Sequence, residues 1–346
     1  MPEGDTVLNA ANALHRVLAG KELTRGDLNW PSAPPNGVAG EFVDEVAAFA
    51  KHLLFRFRSG FTLRTHLRMD GVWRIVPSAS RESVRTSPYV RAALGTDEFT
   101  ALGYRLGMLD MFDSRQELQH LAHMGPDIMA DSFVPTPLIG RVLAQPGLNL
   151  APRQAKPGLI GAQVGLVPQA RYFQIDGTLQ PGADSSADPH ETSASKAQES
   201  VHLGLSRVFS DEQWRIGIER FRQHDPSRPI GETLLDQTLV SGIGTIHMAE
   251  GLFARSVHPD EPLRNVKIPE LLATIRANMI RASLDYPRGR TIHVHSRDSE
   301  PCHRCRGRVV VKEVGAPTRR RPAFFCPRCQ VLQGETGSPN SGRRYM

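Results

Sequence analysis

The first twenty residues carry apolar side chains at helical spacing. Val7 and Leu8 are followed at intervals of three or four residues by Ala11, Leu14 and Leu18, a pattern typical of an amphipathic helix. We expect Asp5 or Thr6 to cap the start of this helix. Gly20 then marks its end.

Extended apolar segments follow this helix. Residues 40–58 read as strands, as do 61–67 and 72–76, and residues 101–112 read as a further strand pair. Residues 115–123 have helical character. The pattern predicts a β-rich domain with one leading helix, arranged as a sandwich.

Helical spacing returns near residue 210 and predicts a mostly α second domain. Ser210 should cap a helix over 211–221, and three further helices are predicted over 230–239, 245–255 and 271–284. Gly242-Ile243-Gly244 forms a tight turn before the third of these helices. Residues 308–312 and 323–325 alternate enough for a β-hairpin with Gly315 at its tip.

The middle of the chain, residues 145–210, fits neither half. Pro-Gly pairs recur there, and residues 183–200 are poor in aromatic residues and rich in Ser, Ala and acidic residues. We expect a partly disordered linker or insertion, with a short ordered piece around residues 172–175.

Composition limits the class of protein. The 346 residues suffice for two domains, and the formal charge is +6 with a pI of about 9.4. Ten Lys or Arg and two Glu fall between Pro301 and Met346, so a polyanion is expected as partner, nucleic acid before an anionic membrane. No run of eighteen apolar residues and no secretory signal is seen, which predicts a cytosolic protein.

The four cysteines form two Cys-x-x-Cys pairs, Cys302 with Cys305 and Cys326 with Cys329. This spacing predicts one tetrahedral zinc ion (Zn²⁺), structural because all four positions are protein ligands. Two disulfides are the competing interpretation. The basic run Arg319-Arg320-Arg321 on the hairpin is either a solvated face or a DNA contact.

The chain starts Met1-Pro2-Glu3, which is either an ordinary frayed terminus or a reactive one. Removal of Met1 would expose the secondary amine of Pro2, which is partly neutral near neutral pH. Such an amine can attack a sugar aldehyde carbon and form an iminium. Glu3 is then the nearest acid or base.

Three other places invite a functional interpretation beside an ordinary one. Lys51 is either a solvated lysine or a cation aimed at a phosphate. Met69, in the loop Arg68-Met69-Asp70, is either buried or an apolar wedge between bases. The amides near Gly244 and Thr245 either belong to a plain helix corner or bind a DNA phosphate.

In this order, these segments resemble the formamidopyrimidine-DNA glycosylase/endonuclease VIII family of base-excision repair enzymes. The resemblance covers residues 1–127 and 211–330, and the Pro-Glu-Gly start is similar to the endonuclease VIII branch. It implies a multidomain α+β fold: an N-terminal β-sandwich with a leading helix, a helical helix–two-turn–helix domain and a C-terminal zinc-finger β-hairpin, with DNA in the cleft between the domains.

The resemblance also implies roles for individual residues. Pro2 matches the Schiff-base nucleophile, Glu3 the proton donor, Lys51 the lysine of β-elimination, and Arg321 the zinc-finger arginine that binds phosphates and serves δ-elimination. Residues expected to contact DNA are Arg68, Met69, Gly244, Thr245, Arg319 and Arg320.

Some positions depart from the family pattern. Thr245 stands where an Asn is usual, and Thr6 where a Glu is common. His295-Ser296-Arg297 replaces a segment that usually contains Tyr-Gly-Arg, and the cysteine pairs lie four residues further apart than expected.

The implied function is a bifunctional DNA glycosylase/AP lyase that removes oxidised bases, pyrimidines favoured, and then performs β,δ-elimination. The expected partners are damaged double-stranded DNA and abasic sites, with no membrane, and the protein is expected to be a monomer in the bacterial cytoplasm, acting at the nucleoid. Two alternatives remain open: a non-catalytic DNA-binding protein with the same fold, and a zinc-ribbon module of transcription or RNA-binding type.

The domain boundaries are predicted from the same patterns. They are a catalytic domain over 1–130, a linker or insertion over 131–210, the helix–two-turn–helix domain over 211–290, the zinc finger over 291–332 and a disordered tail over 333–346.

Overall fold

The computed structural model describes residues 2–83, 87–130, 213–285 and 290–333. The predicted linker or insertion, the predicted cap Ser210 and all of the predicted tail except Gln333 lie outside these residues. The domain boundaries therefore stay predictions. No helix among the described residues is long and apolar enough to cross a membrane.

The leading helix, α1, spans Gly4–Leu18 and confirms the helical periodicity. Its apolar face, including Val7, Leu14 and Leu18, is buried against the sandwich that follows. The predicted cap is wrong, since the helix begins earlier, with Glu3 at the N-cap position. The side chain of Asp5 is used elsewhere, in contacts with the helical domain and with Arg290.

Among the described residues, nine strands form the N-terminal sandwich and confirm the predicted architecture. In chain order they are β1 (Lys21–Glu22), β2 (Arg25–Leu28), β3 (Phe42–Phe49), β4 (His52–Phe57), β5 (Phe61–His66), β6 (Val72–Pro77), β7 (Val90–Gly95), β8 (Phe99–Tyr104) and β9 (Met108–Asp113). One sheet has the order β1-β3-β4-β5-β9 and the other the order β2-β7-β8-β6.

The sandwich core lies between these sheets and beneath α1. Phe55 of β4 and Trp73 of β6 meet there with ring centroids 5.1 Å apart. Strands β1, β2 and β7 were not predicted. For β1 and β2 the reason is that both are short and their residues carry little alternation. A short 3₁₀ turn (Ser114–Gln116) and helix α2 (Glu117–Leu121) follow the sandwich.

The described part of the second domain contains four α-helices: α3 (Gln213–Gln223), α4 (Ile230–Thr233), α5 (Thr245–Ala254) and α6 (Ile268–Leu284). The predicted helix over residues 230–239 is wrong in length. After Thr233, tighter turns replace α-helical bonding, as in the N–H of Asp236 bound to the carbonyl of Thr233. The Asp236 carboxylate also accepts the N–H and the hydroxyl of Thr238, at 3.1 and 2.6 Å, which favours a turn over a continued helix.

The predicted hairpin consists of β10 (Val310–Val314) and β11 (Arg321–Phe325), paired antiparallel. Its Val314 and Ala323 belong to the same buried apolar cluster as the helical domain. Polar contacts add to this packing, including an ion pair between Lys312 and Asp260 and a 2.7 Å bond from Gln330 Nε2 to the carbonyl of Val257. The hairpin is therefore held firmly on the helices.

Candidate functional site

The N-terminal turn of α1 is inserted against the helical domain. The N–H of Gly4 donates to the carbonyl of Gly242 at 3.0 Å. A side chain at Gly4 would approach Met279 at 3.1 Å and Met129 at 3.3 Å, so little room remains there. Pro2, which precedes this contact, is half-buried at the boundary between the domains.

Glu3 is fully buried and binds the first turn of α5. Its carboxylate oxygens accept three backbone N–H groups, from Gly244 at 3.0 Å, Ile246 at 2.8 Å and His247 at 3.2 Å. A helix N-terminus binds anions through such groups and through its dipole. A Cβ on Gly244 would lie 2.4 Å from the Glu3 carboxyl carbon, so glycine is required for this approach.

This contact changes the expectation for the glycine turn, residues 242–244. The N–H of Gly244 was expected on a DNA phosphate, but here it has an internal carboxylate as acceptor. Thr245 is buried, with 6% of its surface exposed. Phosphate contacts by Gly244 and Thr245 stay predictions, whereas the N–H groups of Gly244, Ile246 and His247 bind Glu3.

Lys51 reaches the same turn from the sandwich. It follows Ala50 in the two-residue connection between β3 and β4, and its Nζ donates to the carbonyl of Ile243 at 2.5 Å. Ala50 adopts a φ of 54°, and Asp127 accepts its N–H at 2.8 Å. The second Asp127 oxygen accepts the N–H of Met129 at 2.9 Å, so one carboxylate joins the lysine connection to the segment that follows the sandwich.

The position of Lys51 lowers its basicity. Burial lowers the pKa of the ammonium to about 8; Glu3 opposes this shift and Arg321 adds to it. Lys51 and Glu3, from two separate parts of the chain, therefore meet at the same glycine turn.

The three arginines of the hairpin, Arg319, Arg320 and Arg321, are all solvent-exposed. Arg321 is the first residue of β11, directly opposite Val314. Arg320 forms a 3.0 Å ion pair with Glu313, and Arg319 lies in the turn before them. Nothing among these contacts buries the guanidinium groups, so they remain accessible to a polyanion.

The loop of residues 68–70 projects from the sandwich. Met69 is 65% exposed, which excludes the alternative of a buried methionine. Arg68 has a φ of 54°, its N–H donates to His66 Nδ1 at 2.8 Å, and its side chain lies against Gly107. The loop thus presents an apolar tip on a fixed base, as a wedge requires.

Sequence reasoning missed the two histidines behind this loop. The rings of His52 and His66 lie 4.8 Å apart in an edge-on arrangement. Burial lowers the pKa of His52 to about 3 and that of His66 to about 4, so both rings are neutral at ordinary pH. Their positions near Lys51 and Arg68 in the sequence were the available signal.

A second missed feature is the cluster of Asp5, His247 and Arg290. Arg290 binds the Asp5 carboxylate through two nitrogens, at 2.7 and 2.8 Å, and His247 Nε2 lies 3.1 Å from it. Burial alone would raise the pKa of Asp5, but the bonds from His247 and Arg290 outweigh it and hold that pKa well below its usual range.

Glu250 is a third missed residue. It lies in the middle of α5 and accepts the N–H groups of His293, Val294 and His295, each at 2.9 Å. Burial raises its pKa, whereas the bonds from His293 and these amides lower it below the ordinary value. The signal was a charged residue within the otherwise apolar sequence 248–253.

The four cysteines lie together at the base of the hairpin. Their sulfur atoms all lie within 4.8 Å of one another, with Cys302 and Cys329 at 3.9 Å and Cys305 and Cys326 at 3.5 Å. These separations exceed the S–S bond of about 2 Å, which argues against the disulfide alternative. Four thiolates on a tetrahedral zinc ion, each at about 2.3 Å, would stand about 3.8 Å apart, so the cluster fits a metal.

Two family models match the chain. The model of the formamidopyrimidine-DNA glycosylase N-terminal domain matches residues 1–109, and that of the formamidopyrimidine-DNA glycosylase H2TH domain matches residues 204–285. Together they cover more than half of the chain, including Pro2, Lys51, Met69 and the glycine turn.

Curated relatives match over nearly the full length. A probable endonuclease 8 2 of Streptomyces coelicolor is 29% identical over 340 residues, which is 96% of this chain and 94% of that protein. A protein of Mycolicibacterium smegmatis named DNA-(apurinic or apyrimidinic site) lyase Nei2 is 27% identical over 341 residues, 96% of this chain and 99% of its own.

The fold also matches solved structures. A formamidopyrimidine-DNA glycosylase of Lactococcus lactis, bound to DNA that contains an abasic site, superimposes with a TM-score of 0.61 at 16% identity. The match covers 95% of this chain and 99% of that one. On its sequence and its fold, this chain belongs to the formamidopyrimidine-DNA glycosylase/endonuclease VIII family.

Proposed function

We propose that this protein is a DNA glycosylase/AP lyase of base-excision repair that uses Pro2 as its nucleophile. One observation carries the proposal: Glu3, which follows Pro2, and Lys51 both bind the glycine turn. The names of the relatives, endonuclease 8 and abasic-site lyase, agree with this activity.

The substrate is damaged double-stranded DNA. The exposed arginines 319–321 bind its phosphates, while Met69, on the rigid 68–70 loop, enters the stack when the damaged nucleotide is flipped out. Flipping costs about a few kcal/mol, and least for a poorly stacked lesion. Selection of damaged nucleotides therefore begins before any bond is broken.

The chemical steps follow from a free amine on Pro2. Its nitrogen attacks C1′ of the deoxyribose while Glu3 supplies a proton to the ring oxygen, and the base departs. The resulting iminium draws electrons from C2′, so a C2′ proton is lost and the 3′ phosphate leaves in β-elimination. A second elimination removes the 5′ phosphate and frees the sugar, leaving a one-nucleotide gap.

Lys51 and Arg321 serve the eliminations. With its pKa lowered to about 8, Lys51 is neutral in part of the molecules near neutral pH and can accept the C2′ proton. Arg321 stays protonated and stabilises the departing phosphates through charge-assisted hydrogen bonds.

We propose oxidised pyrimidines as the favoured lesions. This choice follows from the resemblance of the Pro-Glu-Gly start to the endonuclease VIII branch. Excision rates on a panel of duplexes, each with one defined lesion, measure this preference. Faster excision of oxidised purines than of oxidised pyrimidines would contradict the assignment.

The cysteine cluster holds one structural zinc ion in this proposal. Bound there, zinc supplies no reaction chemistry, because four cysteines fill its tetrahedral shell. The cysteines join both strands of the hairpin to its base and so fix Arg321. Elemental analysis should give one zinc per chain, and the Cys329→Ser variant should lose both the metal and strand cleavage.

The expected state is a monomer in the bacterial cytoplasm that acts at the nucleoid. The arrangement of its expected sites supports a monomer, since all of the side chains assigned to the reaction come from one chain. Light scattering of the free protein and of its complex with DNA measures the oligomeric state.

Borohydride trapping tests the nucleophile. The wild type should form a covalent complex with an abasic-site duplex, and Pro2→Ala should not, while its affinity for an uncleavable abasic analogue stays within about threefold, or about 0.7 kcal/mol. Intact mass should show that Met1 has been removed. If Pro2→Ala traps as well as the wild type, Pro2 is not the nucleophile. A wild type that binds the analogue but neither traps nor cleaves supports the non-catalytic alternative.

A further inference from the structure

The cluster of Asp5, His247 and Arg290 has no part in the steps above, yet it lies beside the groups that do. Asp5 and His247 are 3% and 2% exposed. Arg290 Nη2 also donates to Thr6 Oγ1 at 2.6 Å, so one guanidinium binds two consecutive residues of α1.

The cluster joins three segments of the chain. Asp5 belongs to the first turn of α1, His247 to the first turn of α5, and Arg290 precedes the segment that leads to the cysteines. The N–H of His247 donates to Glu3 while its ring faces Asp5. Glu3 and Asp5, which flank Gly4, therefore both bind the first turn of α5. Glu3 accepts backbone N–H groups of that turn, and Asp5 contacts the His247 side chain.

The chemistry of Asp5 argues against a role as an acid or base. Although burial opposes the shift, the bonds from His247 and Arg290 hold the pKa of the Asp5 carboxyl well below its usual range, so Asp5 stays ionised, has no proton to give and is a weak base. The net contribution of a buried ion pair to stability is often small, because desolvation offsets the attraction. A two-nitrogen contact between Arg and a carboxylate does, however, fix direction strongly.

We propose that Asp5, His247 and Arg290 are positioning residues that hold the N-terminal turn of α1 so that the Pro2 nitrogen meets C1′ of the flipped nucleotide. This inference rests on the proposed role of Pro2. Without the cluster, Glu3 and the Gly4 N–H would still tether the turn and the apolar face of α1 would still pack on the sandwich. The two-nitrogen contact would no longer restrain small displacements of the first turn, which carry the amine with them.

The segment after Arg290 extends the same device towards the hairpin. Arg290 fixes its beginning through Asp5, and Glu250 fixes residues 293–295 through three N–H bonds. The start of α1 and the segment that leads to the hairpin are therefore both attached to the same helix, α5.

The test separates positioning from binding and from folding. The variants are Asp5→Asn, which keeps the size of the side chain, Arg290→Lys, which keeps the charge but loses the two-nitrogen contact, and Thr6→Val. Asp113→Asn is the matched control, because Asp113 forms an ion pair with Arg115 on the solvent-exposed end of β9.

Single-turnover trapping with borohydride measures the rate at which the Pro2 amine forms the covalent complex. The affinity for an uncleavable abasic analogue measures DNA binding separately. Asp5→Asn should slow trapping by about 10- to 100-fold, since small misplacements of a reacting group cost rates of this order. Its affinity should remain within about threefold of the wild type, and Arg290→Lys should slow trapping less. The double variant Asp5→Asn/Arg290→Lys should be no slower than Asp5→Asn alone, because both remove one contact.

Trapping by Asp5→Asn and Arg290→Lys at the wild-type rate would overturn the positioning role while leaving Pro2 as nucleophile. Equal losses of trapping and of affinity would also overturn it, since they indicate a disturbed fold. If Asp5→Asn does not fold, the trapping rate and the analogue affinity of Arg290→Lys and Thr6→Val test the positioning role instead. A wild type that does not trap refutes the proposed function itself, which is a different result.

Discussion

At the scale of single residues, the site is built from side chains whose environments change their chemistry. Lys51 is the clearest case, because burial and Arg321 lower its pKa to about 8 against the opposing effect of Glu3. An ordinary surface lysine would be protonated throughout the physiological range. Here the same side chain can exchange a proton near neutral pH.

The pH dependence of strand cleavage should report this lysine. Below pH 8 Lys51 is mostly protonated and cannot accept a proton, so kcat/KM for a preformed abasic site should rise with pH and level off above about 8. Lys51→Arg, which stays charged, should remove this rise and lower cleavage by about 10²- to 10⁴-fold. Borohydride trapping serves as the control, because it reports Pro2 and should persist. A variant with an unchanged cleavage profile would contradict the role.

Met69 offers a second prediction at this scale. Because the side chain is 65% exposed, Met69→Ala should leave the melting temperature unchanged. Excision of a base-paired lesion should slow by about tenfold, equivalent to about 1.4 kcal/mol, as the wedge is lost. Met69→Leu keeps an apolar wedge and should recover most of the rate. Equal excision rates for Met69→Ala and the wild type would refute the wedge.

At the scale of elements, α5 is the part to which the others are attached. Its first turn binds Glu3 and its middle binds residues 293–295 through Glu250. Its last turn accepts Arg304 at the carbonyl of Phe253, at 2.7 Å. One helix thus fixes the N-terminus, the segment before the hairpin and the cysteine base.

Glu250→Ala tests this arrangement. Loss of the carboxylate leaves three N–H groups without their acceptor, and we expect the free energy of unfolding to fall by about 3 kcal/mol in denaturant titration. Glu219→Ala, on the exposed face of α3, is the control and should change little. A loss below about 0.5 kcal/mol would show that the segment is held by other contacts.

The same carboxylate predicts a pH effect on stability. Its pKa is lowered in the folded protein, so the unfolded chain binds the proton more readily. Its contribution is therefore complete above the unfolded pKa of about 4.3 and is lost as the pH falls through the lower, folded value. Glu250→Gln should flatten the acid side of the stability profile accordingly.

At the scale of the whole molecule, the excess of basic charge is concentrated in the C-terminal part of the chain. The excess of ten basic over two acidic residues from Pro301 to Met346 is carried in part by Arg319, Arg320 and Arg321, all exposed. Counterions released from DNA phosphates make such binding depend on salt.

The salt dependence of DNA affinity should identify these contacts. If Arg319 and Arg320 each bind one phosphate, the double variant Arg319→Gln/Arg320→Gln should reduce the slope of log K against log salt by about 1.8. Arg115→Gln is the control, since Arg115 is 90% exposed in the 3₁₀ turn after β9 and pairs with Asp113. If the double variant and the wild type have equal slopes, residues other than Arg319 and Arg320 bind the phosphates.

The sequence by itself determined the local elements and the chemistry of single residues. Helical spacing defined α1, α5 and α6, and two Cys-x-x-Cys pairs defined a four-cysteine cluster that could hold a metal, because periodicity and ligand spacing are local properties. The match of Pro2, Glu3, Lys51 and Arg321 to a family motif also needed only the sequence.

Only the tertiary structure decided which groups meet. Glu3 and the amides of α5 are about 240 residues apart in the chain, and Asp5 and Arg290 about 285, so no pattern predicted their contacts. The helix expected over 230–239 ended early because Asp236 bound Thr238. Long-range packing and the satisfaction of buried charges, which no local pattern encodes, fixed the partners of Glu3, Lys51 and Asp5.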